Sequence, residues 1–274
     1  MPVFPPVAPR MPKPKPATRW RLVVTPAAGG AENMALDEAL MERARETGEW
    51  VVRVYSWSRP TISLGRNQSA SGRYDLARIT DLGLDVVRRP TGGRAILHNR
   101  EITYSVTALS EEAGDLRHSY DRINRLLLEA LRSLGVHASV FAPTSRAASP
   151  GMAPCFDEPA AGELTVAGRK LAGSAQWRAD GALLQHGSIL IEDDQSLLST
   201  LALGGSGGMV AAPATLAEAL GRAPSVDDVA VALGEAIERV ELIRPADLTI
   251  DDALRARACA LVVRYTDNAW TWRR

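Results

Sequence analysis

The sequence predicts an α+β fold in which mixed or antiparallel β-sheets are flanked by helices. Three observations predict it. Short β-rich runs bounded by Gly or Pro fill residues 50–107 and again 136–191, several stretches carry apolar residues at helical spacing, and no repeat of about 20 to 50 residues recurs.

Taken in order, Trp20 to Thr25 reads as a first strand and Ala31 to Glu46 as a helix with Met34, Leu36, Ala39, Leu40 and Met41 among its apolar positions. From Trp50 to Trp57, Val52, Val54 and Ser56 alternate with Val51, Arg53 and Tyr55, which is the period of a strand. Thr61 to Leu64, Asp85 to Arg88 and Glu101 to Thr107 add further strands. Between Ser119 and Leu134 the residues Ile123, Leu126, Leu127, Ala130, Leu131 and Leu134 form one apolar stripe on a helix that Gly135 ends. Strands resume over Val136 to Phe141, Glu163 to Val166, Lys170 to Trp177 and Ala182 to Ile191. The uncharged run Gln195 to Ala217 is nominally long enough to cross a bilayer, but Gly204, Gly205, Gly207, Gly208 and Pro213 break it into loop and short helices. Ser225 and Asp228 form a capping pair ahead of Val226, Val229, Leu233, Ile237 and Val240, the apolar face of a last-third helix. The chain thus divides into a Pro-rich flexible tail over residues 1–18, a body over 19–245 and a short helical extension over 246–274.

Of the 274 residues 46% are hydrophobic and 23% charged, enough to bury a sizeable core and to exclude disorder throughout. Lys and Arg number 32, as do Asp and Glu, so the overall field is too weak to argue for sequence-independent capture of nucleic acid. The first 17 residues lack the apolar core of a secretory signal, and Cys155 and Cys259 are too few for a disulfide framework. A cytoplasmic protein without a membrane span is expected. Cys259 lies among Ala and Leu residues at helical spacing and reads as core packing.

Three segments stand out as chemistry. Between two strands lies Arg88-Arg89-Pro90-Thr91-Gly92-Gly93-Arg94, whose paired glycines let a backbone approach a ligand closely and whose arginines favour an anion or a carbonyl. It is equally readable as a Gly-Gly hairpin turn, and it has neither the spacing of a P-loop nor that of a dinucleotide fingerprint. Cys155 follows a Pro- and Ala-rich loop, and generic statistics favour an inert buried thiol over a nucleophile there. Lys170 falls in a short turn between Gly168 and Gly173, where most lysines are solvated, and His186-Gly187 follows another strand. No one of these decides a function.

Together and in order they resemble the biotin/lipoate protein ligase catalytic superfamily, in its lipoate ligase and octanoyltransferase branch. The matching segments are Asn33 to Leu40, Tyr55 to Gln68, the Arg88 to His98 loop with Tyr104-Ser105, Gly168-Arg169-Lys170-Leu171-Ala172-Gly173-Ser174-Ala175-Gln176, and Gln185-His186-Gly187-Ser188. A Cys-Phe pair at Cys155-Phe156, ahead of the Gly-Arg-Lys segment, is similar to the LipM type of octanoyltransferase. In the LipB type the cysteine follows the His-Gly pair, and no cysteine occurs here between His186 and Ala258. The loop departs from a common family pattern at Arg94 and Asn99.

The resemblance implies that residues 19–245 are the catalytic domain. It makes Cys155 an acyl-thioester nucleophile and Lys170 the lysine that lowers the thiol's pKa and holds the acyl carbonyl. It also implies a substrate site of Arg89, Thr91, Gly92, Gly93, Gly173, Ser174, Ala175, His186 and Gly187, with oxyanion donors among the backbone N–H groups near Gly92, Gly93 and Ala175. An octanoyl group would pass from octanoyl-acyl carrier protein to a lysine of a lipoyl-accepting protein, either glycine-cleavage H protein or a 2-oxoacid dehydrogenase E2 domain. No metal, ATP or other cofactor is implied, and the chain is expected to act as a monomer. Acidic partners would dock through Arg66, Arg88, Arg89 and Arg178. Three readings compete: a LipL-type amidotransferase with an octanoylated protein as donor, an ATP-dependent lipoate ligase in which Cys155 is incidental, and a non-catalytic binding module. The short stretch after Val240 counts against the ligases, which commonly carry a further C-terminal domain.

Overall fold

A computed structural model describes residues 19–142, 156, 160–203 and 212–273. In chain order its first half comprises β1 (Arg19–Val24), α1 (Gly30–Thr47), β2 (Glu49–Tyr55), β3 (Thr61–Leu64), α2 (Leu76–Asp81), β4 (Asp85–Arg88), β5 (Ile96–His98) and β6 (Glu101–Leu109). Then come α3 (Ser110–Ala113), α4 (Leu116–Ser133), β7 (Ser139–Val140), β8 (Leu164–Val166), β9 (Arg169–Ala179) and β10 (Ala182–Leu190). The last elements are α5 (Ser196–Leu201), α6 (Leu216–Leu220), α7 (Val226–Glu241), β11 (Ala246–Asp247), α8 (Asp252–Thr266) and α9 (Asn268–Thr271).

An eight-stranded sheet runs β11-β1-β2-β6-β10-β9-β8-β7, parallel where β1 meets β11 and β2 and antiparallel elsewhere. A smaller sheet, β4-β3-β5, lies apart. This is the α+β architecture the alternating runs predict. Helices cover both faces of the large sheet, so every residue of β2 is buried and its two alternating sets both pack inward. On one face Val52, Val54 and Val106 join Ile123, Leu126, Leu127 and Leu131 of α4 and Leu233 and Ile237 of α7. Each such fully buried aliphatic side chain is worth about 1.5–3 kcal/mol. On the other face Val23 and Val51 meet Ala39 and Leu40 of α1 and Leu254 of α8.

The helix ends follow local chemistry. Asp115 accepts from the N–H of His118, so α4 begins three residues earlier than its apolar stripe suggests. Ser225 and Asp228 form the reciprocal cap expected of α7. Four details differ from the sequence reading. Only Ser139–Val140 of the expected strand over 136–141 forms, because it is an edge with β8 as its single neighbour, closely followed by Pro143. Ile96–His98, expected as loop, pairs with β3. Lys170 lies inside β9, as the expected strand over 170–177 has it and not in the turn between Gly168 and Gly173, that turn being made by Ala167 and Gly168, whose φ values are 49 and 76°. Cys259 is exposed on α8 and packs into no core. The Pro-rich tail, the glycine run 204–208 and Cys155 lie outside the described residues.

Candidate active site

Register decides which residues meet. β2, β6, β10 and β9 align Arg53, Ser105, His186 and Ala175 in one cross-strand row, with their side chains on the face that α1 covers. From α1 the carboxylate of Asp37 descends onto that row. It accepts from Arg53 Nη1 at 2.8 Å, Ser105 Oγ at 2.8 Å, Tyr55 Oη at 2.8 Å and His186 Nδ1 at 3.1 Å. Burial pushes this carboxyl's pKa up, but the Arg53 charge and the His186 and Ser105 donors outweigh it and leave the group below its ordinary value. Burial drives His186 the other way, below the usual histidine value despite Asp37. An ionised Asp37 beside a neutral His186 fixes the tautomer: Nδ1–H donates to Asp37, and Nε2 accepts from the Thr91 hydroxyl at 2.6 Å. Thr91 is thereby clamped to the sheet.

The loop after β4 is shaped by its own arginines. Arg88 donates to the carbonyls of Gly65 at 2.6 Å, Gln68 at 2.8 Å and Thr271 at 2.8 Å, and Trp270 Nε1 returns a bond to the Arg88 carbonyl at 2.8 Å. Arg89 donates to the carbonyls of Ser63, Gly92 and Arg94 at 2.7–2.8 Å. Both are buried within the fold and build the loop, so they are not the surface docking residues the sequence suggests. Arg178 likewise engages the carbonyls of Gly114 and Asp115 at 2.7 and 2.8 Å, while Arg66 stacks 4.9 Å from the Trp177 ring. The loop lies so close to β3 that a Cβ on Gly65 would stand 1.9 Å from the Gly93 carbonyl oxygen. Gly93 itself has φ +92°, a conformation that disfavours any side chain.

A second chain of buried bonds runs beside it. Ser63 Oγ accepts from Arg89 at 2.9 Å and meets His98 Nε2 at 2.7 Å, and His98 Nδ1 reaches Glu101 at 3.1 Å. Glu101 also accepts from Thr103 at 2.5 Å and from Ser188. Trp57 stacks on His98 with ring centroids 4.0 Å apart and donates to Thr103 at 2.8 Å.

These networks wall a cavity of about 900 Å³. Of the expected substrate residues, Arg89, Gly92, Gly93, Gly173, Ser174, Ala175, His186 and Gly187 line it, and Thr91 sits behind His186. Gly187 keeps the wall thin, since a Cβ there would lie 2.6 Å from both Ser174 Oγ and the Tyr104 ring. Met34, Tyr55, Trp57 and Ile96 give the cavity apolar surface. Lys170 is buried rather than solvated: its Nζ donates to Glu163 at 2.6 Å and stands 4.7 Å from the centroid of the Phe156 ring. Glu163 lines the cavity, and Phe156, the chain neighbour of Cys155, packs against Ile96 and Leu190. Among the described residues no group of three or more His, Cys, Asp or Glu side chains is placed to hold a metal.

Residues 30–238 match the family model of the lipoyl protein ligase A/B catalytic domain. The chain belongs to this family. Among curated lipoyl protein ligase A/B relatives, an octanoyltransferase LipM of Kyrpidia tusciae is 38% identical, the alignment covering 93% of this chain and 99% of that one. One of Symbiobacterium thermophilum is 39% identical over 94% and 99%, and one of Carboxydothermus hydrogenoformans 44% identical over 64% and 66%. Among solved structures a lipoate-protein ligase A bound with ATP superposes with a TM-score of 0.74 at 22% identity, over 93% of this chain and 98% of that one. A bipartite lipoate protein ligase from Thermoplasma acidophilum gives 0.75 at 21%, over 93% and 96%. These two share the fold.

Asp37, Glu101, His98 and Glu163 belong to the site without having been singled out from sequence. Asp37 carried a signal, lying three residues after Met34 and three and four before Leu40 and Met41, hence on the apolar side of its helix. Arg53 amid the valines of β2 was its counterpart.

Proposed function

We propose that this protein is an octanoyltransferase of protein lipoylation that carries the octanoyl group as a thioester on Cys155. The observation that supports it most is the buried ammonium of Lys170, set beside Phe156 and bound to Glu163, which lines a cavity large enough for a fatty acyl group. Near-full-length similarity to octanoyltransferases LipM agrees with it. The donor is octanoyl-acyl carrier protein, and the acceptor is a lysine of a lipoyl-accepting protein, H protein or an E2 domain.

Two steps suffice. The Cys155 thiolate attacks the donor thioester carbonyl, forms a tetrahedral oxyanion and expels the phosphopantetheine thiolate, which takes a proton. A neutral lysine amine of the acceptor then attacks the acyl-enzyme, the Cys155 thiolate leaves, and the amine proton goes to it, giving an amide. The first exchange is nearly balanced and the second runs downhill, so ATP is not required. A thiol with pKa near 8.5 is only a few per cent ionised at neutral pH, and each unit of lowering by the Lys170 charge is worth about 1.4 kcal/mol. Backbone N–H groups at Gly92, Gly93 or Ala175 face the oxyanion, which His186, Thr91 and Arg89 serve by holding that wall in place. Gly173, Ser174 and Gly187 complete the wall, and burial of the chain's methylenes contributes about 0.8 kcal/mol each. The protein acts as a cytoplasmic monomer, with residues 19–245 as its catalytic domain.

Intact-mass measurement after incubation with octanoyl-acyl carrier protein tests this. A single octanoyl adduct that disappears in Cys155→Ala supports the acyl-enzyme. Transfer that needs ATP and survives Cys155→Ala refutes it.

A further inference from the structure

We infer that Trp270 is a positioning residue for the transfer, acting through Arg88 on the glycine loop that follows β4. The inference rests on the reading above that substrate lies against this loop. Trp270 stands beyond residues 30–238, the part of the chain that matches the family model. Yet α9 holds Arg88 from two sides. Trp270 Nε1 donates to the Arg88 carbonyl at 2.8 Å, and Arg88 Nε donates to the carbonyl of the next residue, Thr271, at 2.8 Å. Main chain and side chain of one residue are thus fixed by consecutive residues of a distant element. Arg88 is the last residue of β4, so the loop departs from it. Its Nη1 also donates to the carbonyls of Gly65 at 2.6 Å and Gln68 at 2.8 Å, and Gly65 lies against Gly93 with no room for a Cβ. Two routes therefore lead from α9 to Gly92 and Gly93 in the cavity wall, one along the chain from Arg88 and one through Gly65.

The indole is itself firmly set. The Arg273 guanidinium lies 3.7 Å from its ring centroid and that of Arg264 lies 5.4 Å away, both at cation–π distance. Tyr265 meets the ring edge-on, 6.1 Å between centroids and 87° between planes. Arg264 and Tyr265 are in turn fixed by one carboxylate, Glu38, whose Oε1 accepts from Arg264 Nη2 at 3.0 Å and whose Oε2 accepts from Tyr265 Oη at 2.5 Å. Glu38 follows Asp37 in α1, so the helix that sets Asp37 on the cross-strand row also sets the indole over Arg88. An aromatic ring alone would serve packing here. Trp270 adds a donor aimed at the carbonyl from which the loop starts, and a directed bond fixes orientation as packing does not. Neither Trp270 nor Thr271 is among the described residues that line the cavity, so whatever they do to substrate passes through the loop.

The test compares the full chain with Trp270→Phe, which keeps an aromatic ring and removes the donor. Octanoyl transfer from octanoyl-acyl carrier protein to a purified lipoyl domain is followed by mass spectrometry, and amide hydrogen exchange is read in peptides covering residues 89–95 and, for reference, β10. A displacement near 1 Å costs about a hundredfold in rate, so one of about half that costs about tenfold. Trp270→Phe should therefore lower kcat about tenfold with KM for the carrier donor within about twofold, and should speed exchange in 89–95 while leaving β10 unchanged. In a Gly65→Ala background, where the loop is already displaced, the same substitution should change kcat by no more than about twofold, since perturbations acting through one element are not additive. Exchange that stays unchanged in 89–95, or that rises equally there and in β10, overturns the inference, as does a kcat within about twofold of the parent. Transfer that needs ATP and survives Cys155→Ala overturns the acyl-enzyme reading instead, and exchange in 89–95 still decides for or against Trp270.

Discussion

Gly65→Ala is the sharpest probe of how the glycine loop is held. The added Cβ would sit 1.9 Å from the Gly93 carbonyl oxygen and 2.8 Å from its carbon. A carbon and a carbonyl oxygen rest at about 3.3 Å, so the loop must recede by roughly 1.4 Å. Escape is difficult, because the Gly65 carbonyl is bound by Arg88, the Gly65 N–H donates to Gln68 Oε1, and Arg66 N donates to the Thr91 carbonyl. Thr91 is itself fastened to His186. A misplacement near 1 Å costs about a hundredfold in rate, and overpacking costs about 1–3 kcal/mol of stability. Octanoyl transfer to a purified lipoyl domain, followed by mass spectrometry, should therefore fall about a hundredfold, with a lower midpoint in urea. Transfer within threefold of the parent, in a protein of unchanged midpoint, would refute the claim that the loop's position governs the reaction.

Gly92→Ala makes the complementary experiment: its Cβ meets no atom within 4 Å, so the fold should be unchanged, and transfer should fall about tenfold or more only if substrate lies against that backbone. Arg53→Leu strips Asp37 of its counter-charge in the interior and should cost about 3–5 kcal/mol in chemical denaturation, a loss below about 1 kcal/mol contradicting the ion pair's role. For acid stability the signs follow from the directions of the shifts. His186 binds a proton less readily folded than unfolded, so stability should decline as pH falls below its ordinary 6.5, by up to about 1.4 kcal/mol per pH unit. Asp37, held low, adds stability above its ordinary 3.8 that is lost as pH falls further, through its folded value. His186→Gln should flatten the decline that starts near 6.5, as read by melting temperature across pH 5–7.

Sequence reading found most of the fold because binary pattern and caps acted together. Ser225 and Asp228 cap α7 as their spacing says, and the leucine stripe of α4 packs into the core. It failed where tertiary context overrode local preference. Ile96–His98 becomes a strand only because β3 offers an edge, and Lys170 leaves its turn because the tight geometry is taken by Ala167 and Gly168. Eight of the nine expected substrate residues line one cavity because they fall in matching register on β9 and β10 or in the loop facing them. Local pattern was silent about the buried charges. Whether Arg53 or Arg88 faces water or another residue depends on partners 16 or more residues away in sequence, and Asp37 was visible only as a carboxylate on the wrong side of its helix.

The bonds from Thr271 and Trp270 to Arg88 reach back across about two-thirds of the chain to the foundation of the glycine loop. A fragment cut after residue 245, where composition invites the cut, would discard both without removing any residue that lines the cavity. Its inactivity would tempt an experimenter to place chemistry in the discarded piece, when what had gone was a buttress.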